Sequence, residues 1–260
     1  MDESARAIRE RWARGQAVAG PFIQLPAPAA VEIAARAGFD LVAVDLEHGP
    51  YGTELAEQMV RAADARGIAA FVRVLANRPE LIAGALEMGA AGVLVPHVDS
   101  VQDARDAVAA ARFHPLGERG LSPTARSAGY GADGGAAYFT ASNAAVILGL
   151  MIEGGAAYED LDGFLELEQV DLIMVAPYDL SQSLGVPGEV THPRVLATIE
   201  DVCARGVAAG KQVGTFTVDP AAAADWVARG IRFLGMDVDV RMLLDAMTAR
   251  AAALRAALGG

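Results

Sequence analysis

Cysteine is almost absent from this sequence: Cys203 is the single one in 260 residues. That excludes an intrachain disulfide and suits a reducing compartment. A chain this long buries enough surface to need neither disulfides nor a structural metal for stability. Thiolate chemistry would require a nearby basic or histidine partner. None is evident in the helical stretch IEDVCARGVAAG, so the thiol reads as a buried spectator. Basic residues are also scarce, 21 Lys and Arg against 33 Asp and Glu, for a net charge of -12. Such a balance argues against nucleic acid, whose phosphates call for clustered Lys and Arg, and against anionic membrane surfaces. Small anionic substrates remain open, because they respond to local fields. No run approaches the ~18 apolar residues of a membrane span. The first residues, MDESARAIRERWARGQ, are charged and amphipathic and lack the apolar core of a secretory signal. A cytoplasmic location is expected.

What is present is regular. Short apolar, β-branched runs alternate with Ala-rich helical segments from end to end. Eight candidate strands cover Pro21–Leu25, Leu41–Asp45, Ala70–Val74, Gly92–Pro96, Val146–Ile152, Asp171–Ala176, Gln212–Thr217 and Ile231–Met236. Helices are expected over Glu54–Arg66, Glu80–Met88, Val101–Arg112, Arg194–Ala209, Ala221–Arg229 and Val240–Leu258, with a further one over residues 1–16. The connections GFD, RGI, MGAAGV, AGKQV and RGIRF each end a helix at glycine and start a strand almost at once. Eight such units without a break in composition predict a single-domain (β/α)8 TIM barrel spanning residues 1–260. A doubly wound open sheet is the rival, but the glycine-rich nucleotide fingerprint is missing after the first strand. The stretch GLSPTARSAGYGADGG, Gly120–Gly135, is too polar and glycine-rich for a helix or strand. It reads either as a functional loop or as a plain surface excursion.

In such a barrel the active site lies just past the C-terminal strand ends. Those positions hold Asp45, Glu47 and His48 after the second strand, Arg73 in the third and His97 after the fourth. Glu153 follows the fifth, Asp179 the sixth, and Asp237 and Asp239 the eighth. Glu153 in LMIEGG and Asp179 in APYDLS should face each other across about one strand spacing. Two carboxylates so placed repel unless a cation neutralises them or one takes a proton. With oxygen ligands alone that cation would be Mg²⁺ or Mn²⁺, with Co²⁺ a further candidate. The bland alternative is that Asp179 caps the helix that follows. His48 is a candidate general base, with Glu47 expected to point elsewhere and a partner for the ring to come from another element. Arg73 must pair with an anion, either a core carboxylate or charge developing on a substrate. No lysine stands out at a strand end for a Schiff base.

The stretches VDLEHGP, FVRV, LEMGAAGVLVPHV, GERGLSPTAR, MIEGG and APYDLSQSLGVPGEVTHP occur in the order and spacing of one family. From about Arg11 to the last helix the chain resembles the HpcH/HpaI aldolases, metal-dependent pyruvate aldolases. The resemblance implies that His48 is the catalytic base, that Glu87 stands where an acid raises its basicity, and that Arg73 stabilises the transition state. It implies that Glu153 and Asp179 are the metal ligands, and that Asp45, Pro177, Tyr178 and Ser122 meet substrate, Ser122 from an active-site loop over residues 115–136. It also implies a hexamer whose subunits exchange a C-terminal helix, here residues 240–258. The best-known members carry DGEH, QIE and GPAD where this chain has Leu46, Met151, and Ala176 with Tyr178. The expected reaction is reversible cleavage of a 4-hydroxy-2-oxo acid to pyruvate and an aldehyde. Alternatives are another C–C lyase or condensing enzyme acting on an acyl-CoA or oxaloacetate, and a non-catalytic barrel that binds a keto acid.

Overall fold

A computed structural model describes residues 3–133 and 135–258. Eight parallel strands close on themselves in sequence order: β1 (Val18–Ile23), β2 (Leu41–Asp45), β3 (Ala69–Arg73), β4 (Gly92–Val95), β5 (Ile147–Ile152), β6 (Leu172–Val175), β7 (Gln212–Thr217) and β8 (Phe233–Val238). The helices are α1 (Glu3–Ala13), α2 (Pro28–Ala37), α3 (Thr53–Arg66), α4 (Pro79–Glu87), α5 (Val101–Ala111), α6 (Ala136–Ala145), α7 (Gly155–Glu159), α8 (Leu161–Leu165), α9 (Pro177–Ser183), α10 (Pro193–Ala208), α11 (Pro220–Ala228) and α12 (Asp239–Ala257). This is a single-domain (β/α)8 barrel, and the open sheet is excluded by the β1–β8 pairing. Among the described residues no helix is long and apolar enough to cross a membrane.

The strands are buried on both faces, so their side chains sort into two cores. Val42, Val44, Val72, Val93, Val95, Leu148 and Ile173 point outward into the layer beneath the helices. Leu41, Phe71, Leu94, Ile147, Leu172, Met174 and Phe233 fill the barrel interior. There Phe71 meets Phe233 edge to face at 5.0 Å. Ala5, Ile8 and Trp12 of α1 belong to that interior core and stopper the end where the strands begin; the Trp12 indole donates to the Arg232 carbonyl at 3.0 Å.

β1 starts three residues earlier than the sequence suggests, because Gly20 and Pro21 read as breakers. Both have a structural reason. A Cβ on Gly20 would lie 1.8 Å from the Leu41 carbonyl oxygen, so only glycine lets β1 approach β2. At Pro21 the pairing with β8 shifts register between Gly20 and Phe22, which accommodates the missing N–H. The stretch after α5 is also more structured than expected: Arg126–Gly131 forms a short 3₁₀ turn. Five of the described helices begin at proline, whose fixed φ and missing N–H suit the first helical position. The last helix, α12, buries none of its residues in the chain.

Candidate active site

β2 and β3 pair with Asp45 opposite Arg73, and the two side chains meet where the strands end. Arg73 Nε donates to Asp45 Oδ1 at 2.9 Å and its Nη2 to Oδ2 at 2.7 Å. Asp45 also accepts from Gln24 Nε2 at 2.9 Å and from the Glu47 and His48 amides at 3.2 Å each. Those two bonds wind residues 45–48 into a tight turn, fastened beneath by Tyr51, which accepts from the Asp45 amide. Burial pushes the Asp45 carboxyl upward, but the hydrogen bonds and charge of Arg73 outweigh it and hold the group below its usual value. Burial likewise disfavours the Arg73 cation, and Asp45, with Glu47 and Glu153, more than restores it. The pair is a fixed, charged floor.

Because the chain turns after Asp45, Glu47 does not point away from the site as expected. Its carboxylate is nearly buried and lies 3.3 Å from Arg73 Nη1 and 3.0 Å from His97 Nε2. Oε2, the oxygen on the Arg73 side, is buried and ion-paired but makes no hydrogen bond. His97 adopts a left-handed backbone at φ 56°, which aims its amide at Glu153 Oε2, 2.9 Å away. Its ring stands between Glu47 and Glu153. Burial pushes the Glu153 carboxyl above its usual value; the His97 amide opposes this, while the charges of Glu47 and Asp179 reinforce it. His48 Nε2 is 4.0 Å from Glu47 Oε2, so the acid nearest this imidazole in the chain is its sequence neighbour. Its ring is 55% exposed at the mouth.

Asp179 sits in the first turn of α9, where the N-cap is Ala176, not Asp179 as the capping alternative would have it. Pro177, lacking an N–H, opens that helix. The Tyr178 and Asp179 amides, by position, have no intrahelical acceptor. A cavity of about 290 Å³ joins these elements, bounded by Gln24, His48, Arg73, Pro177, Tyr178 and Asp179, with Phe22, Met151 and Phe216 on its walls.

Glu153 and Asp179 could hold a divalent cation. The donors are hard oxygens, the carboxyl at Glu153 is destabilised as an anion by burial and then by the charges of Glu47 and Asp179, and Glu47 Oε2 makes no hydrogen bond. Among the described residues no third His, Cys, Asp or Glu converges with them as a closed metal cage. A two-carboxylate set fits an ion that completes its shell with water and substrate. Lysine chemistry has no foothold at this end, since the single lysine, Lys211, is engaged by the Leu167 and Val170 carbonyls below β7.

The family model described as HpcH/HpaI aldolase/citrate lyase matches residues 19–246. The chain belongs to the HpcH/HpaI aldolase/citrate lyase family. It is 33% identical over 246 residues to a 2-keto-3-deoxy-L-rhamnonate aldolase of Salmonella gallinarum, covering 94% of this chain and 91% of the relative. An HpcH/HpaI aldolase/citrate lyase family protein from Burkholderia cenocepacia superimposes with a TM-score of 0.90 at 30% identity, covering 98% of this chain and all of the other. Citrate synthase SbnG superimposes at 0.88 and 27% identity, over 97% and 98% of the two chains. As a member of the HpcH/HpaI family the protein is a carbon–carbon lyase.

Two of the expected HpcH/HpaI site residues are not brought to this mouth. Glu87 is the last residue of α4, at the end of the barrel where strands begin, and its charge acts on Arg119. It cannot partner His48 of its own chain. Ser122 and the described residues 115–133 lie between α5 and α6, and they too lie at that far end, pinned by Arg126 to the Met88 carbonyl and to Asp64. A helix-to-strand connection cannot reach the mouth of its own barrel; any contact with substrate would have to come from another copy. Conversely, Glu47 and His97, which stood at strand ends without an assigned role, and Gln24, which was not singled out, join the site. For Gln24 the signal was its place two residues before Pro26, just beyond a strand end. Cys203 is buried under α11 with its thiol toward the Arg229 carbonyl, and burial pushes its pKa up, as befits a spectator.

Proposed function

We propose that the protein is a divalent-metal-dependent aldolase that reversibly cleaves a 4-hydroxy-2-oxo acid to pyruvate and an aldehyde. The observation that carries this reading is the excess of negative charge around Glu153, faced by Glu47 and Asp179, beside a guanidinium fixed at the floor. Glu153 and Asp179 would hold the cation, which when bound supplies Lewis-acid polarisation of the 2-oxo acid. Asp45 orients Arg73, and Pro177 and Tyr178 bring the first turn of α9, with its free amides, toward the substrate carboxylate. His48, directly or through water, takes the C4 hydroxyl proton. The hydroxyl oxygen's electrons then form the aldehyde carbonyl as the C3–C4 bond breaks, and the departing pair leaves pyruvate as its enolate. C3 finally accepts a proton. Arg73 suits the growing negative charge: of its five N–H donors Asp45 takes two, and the others, beside the Glu47 carboxylate, are not hydrogen-bonded to it.

A homo-oligomer, hexameric by likeness to the family, and a cytoplasmic location complete the proposal. The bare apolar positions of α12, Leu244, Met247, Leu254 and Leu258 among them, support assembly through that helix. The likeness to citrate synthase SbnG favours a second reading, condensation of a carbon nucleophile onto a keto acid at the same site. Pyruvate release from 4-hydroxy-2-oxo acids, followed with and without divalent cation, separates the two. Turnover with Mg²⁺ or Mn²⁺ that vanishes in EDTA supports the aldolase; full turnover after exhaustive chelation removes it. In His48→Ala kcat should fall by roughly 10²- to 10⁴-fold with pyruvate binding little changed.

A further inference from the structure

We infer that the aldehyde half of the substrate carries an apolar, chain-like or aromatic, substituent rather than a polyhydroxylated one. This rests on the aldolase reading and specifies its substrate class. The cavity at the mouth has few polar side chains, and they are committed. Gln24 is turned toward Asp45 by one N–H, the Arg73 donors not used by Asp45 are assigned to the enolate, Asp179 to the cation, and His48 to the reacting hydroxyl. The remaining surface is Phe22, Met151, Met174, Ala176, Phe216 and Val238, with Tyr178 at the rim.

Three aromatic rings form one continuous wall. Tyr178, 49% exposed, packs edge to face on Phe216 at 6.2 Å, and Phe216 on Phe22 at 5.9 Å. The Arg73 guanidinium lies over the Phe22 ring at 4.8 Å, so the wall starts at the charged floor and runs outward. Beyond it lies a second cleft of about 350 Å³ that also carries charged groups, Glu200, Asp219, Asp225 and Arg229 among them, so the apolar wall is confined to the mouth cavity itself. A substituent leaving C4 along this wall meets ring faces and aliphatic carbon. Apolar carbon gains there by leaving water. Hydroxyls lying against this part of the mouth cavity would lose water to ring and aliphatic carbon that offers no hydrogen bond in return.

The test compares 4-hydroxy-2-oxo acids of matched length whose C4 substituent is alkyl, phenyl or a diol chain, with pyruvate release as readout and Mn²⁺ present. The apolar substrates should exceed the diol by about a hundredfold in kcat/KM, the scale on which apolar pockets and unpaired hydroxyls discriminate. Tyr178→Ala and Phe216→Ala should each cut that ratio about tenfold, while Tyr178→Phe, which keeps the ring and drops the hydroxyl, should retain it. A ratio near one, or one that favours the diol, overturns the inference; so does a ratio untouched by both alanine variants. Exchange of the pyruvate methyl protons with D₂O in the unaltered enzyme needs no aldehyde and reports the enolate chemistry alone. Exchange with the wrong ratio sinks only the substrate class, whereas neither exchange nor pyruvate release from any substrate sinks the aldolase reading and this inference together.

Discussion

The two ends of the barrel treat charge differently. Where the strands begin, Arg112 is almost wholly buried, yet it donates to Asp171 at 2.7 Å and to the carbonyls of Asn143, Val146 and Gln169. Asp171 takes Arg9 as well, at 2.8 Å. At the mouth, Asp45, Glu47 and Glu153 share the single guanidinium of Arg73, Asp179 adds a further negative charge beside Glu153, and one oxygen of Glu47 makes no hydrogen bond. Burying charge is tolerated when it is paired and hydrogen-bonded. The Arg112–Asp171 cluster therefore serves stability, and the acid-rich mouth holds groups that a cation and a substrate would complete.

The comparison breaks most sharply at Glu153. Glu153→Gln should lower kcat by about a thousandfold or more with little loss of fold, since it removes charge from an over-charged cluster. Thermal unfolding should be unchanged or raised without added metal, and a large fall in Tm would mean that Glu153 is structural. Arg112→Met should do the opposite. It strips Asp171 of one of two cations and should cost about 3 kcal/mol, while kcat per folded molecule stays the same. Asp45→Asn joins the two behaviours, because it leaves a buried Arg73 half-paired under the site. A loss of about 3–5 kcal/mol together with a drop in kcat is expected; denaturant unfolding and pyruvate release on one preparation would show either effect missing.

How much of this was legible in the sequence follows from what each signal encodes. Strand–helix alternation sets the architecture, and β2 and β7 run between the residues expected, because Val-rich or Thr-rich runs end there at turn residues. β1 was misjudged at its start, since a Gly required by close approach to Leu41 looks in sequence like any loop glycine. Asp45, His48, Arg73, Glu153 and Asp179 meet because each lies at a C-terminal strand end. Glu87 and Ser122 do not, because both sit between a helix and the next strand, a topological fact that was readable from the element order. Glu47 was misread by treating neighbours in a turn as if they alternated like a strand. Its true direction depends on two amide bonds to Asp45, which no periodicity reveals.

The Glu47 carboxylate gives a finer test. Glu47→Gln keeps the shape and the His97 contact while removing the charge nearest Glu153. If Glu47 helps to hold the cation's surroundings without touching it, apparent Mn²⁺ affinity should weaken about tenfold, the scale of groups that support a ligand. An unchanged affinity would detach Glu47 from the site.

The smallest effect is in pH, and its sign follows from Glu153. Its carboxyl is raised above the usual glutamate value by burial, reinforced by the charges of Glu47 and Asp179 and opposed in part by the His97 amide. A raised carboxyl favours the folded state most when protonated, so without metal this contribution is complete below the unfolded glutamate pKa. It fades as pH rises through the folded value. A cation reverses the trend, because it needs the ionised form and must displace that proton. The Tm gain on adding Mn²⁺ should therefore grow from about pH 5 to about pH 7.5, with each pH unit below the folded pKa weakening apparent affinity about tenfold, or roughly 1.4 kcal/mol. Arg112, far from the mouth, should not alter that slope, whereas Glu153→Gln should flatten it. A gain independent of pH in the unaltered protein would place the ion on groups other than this glutamate.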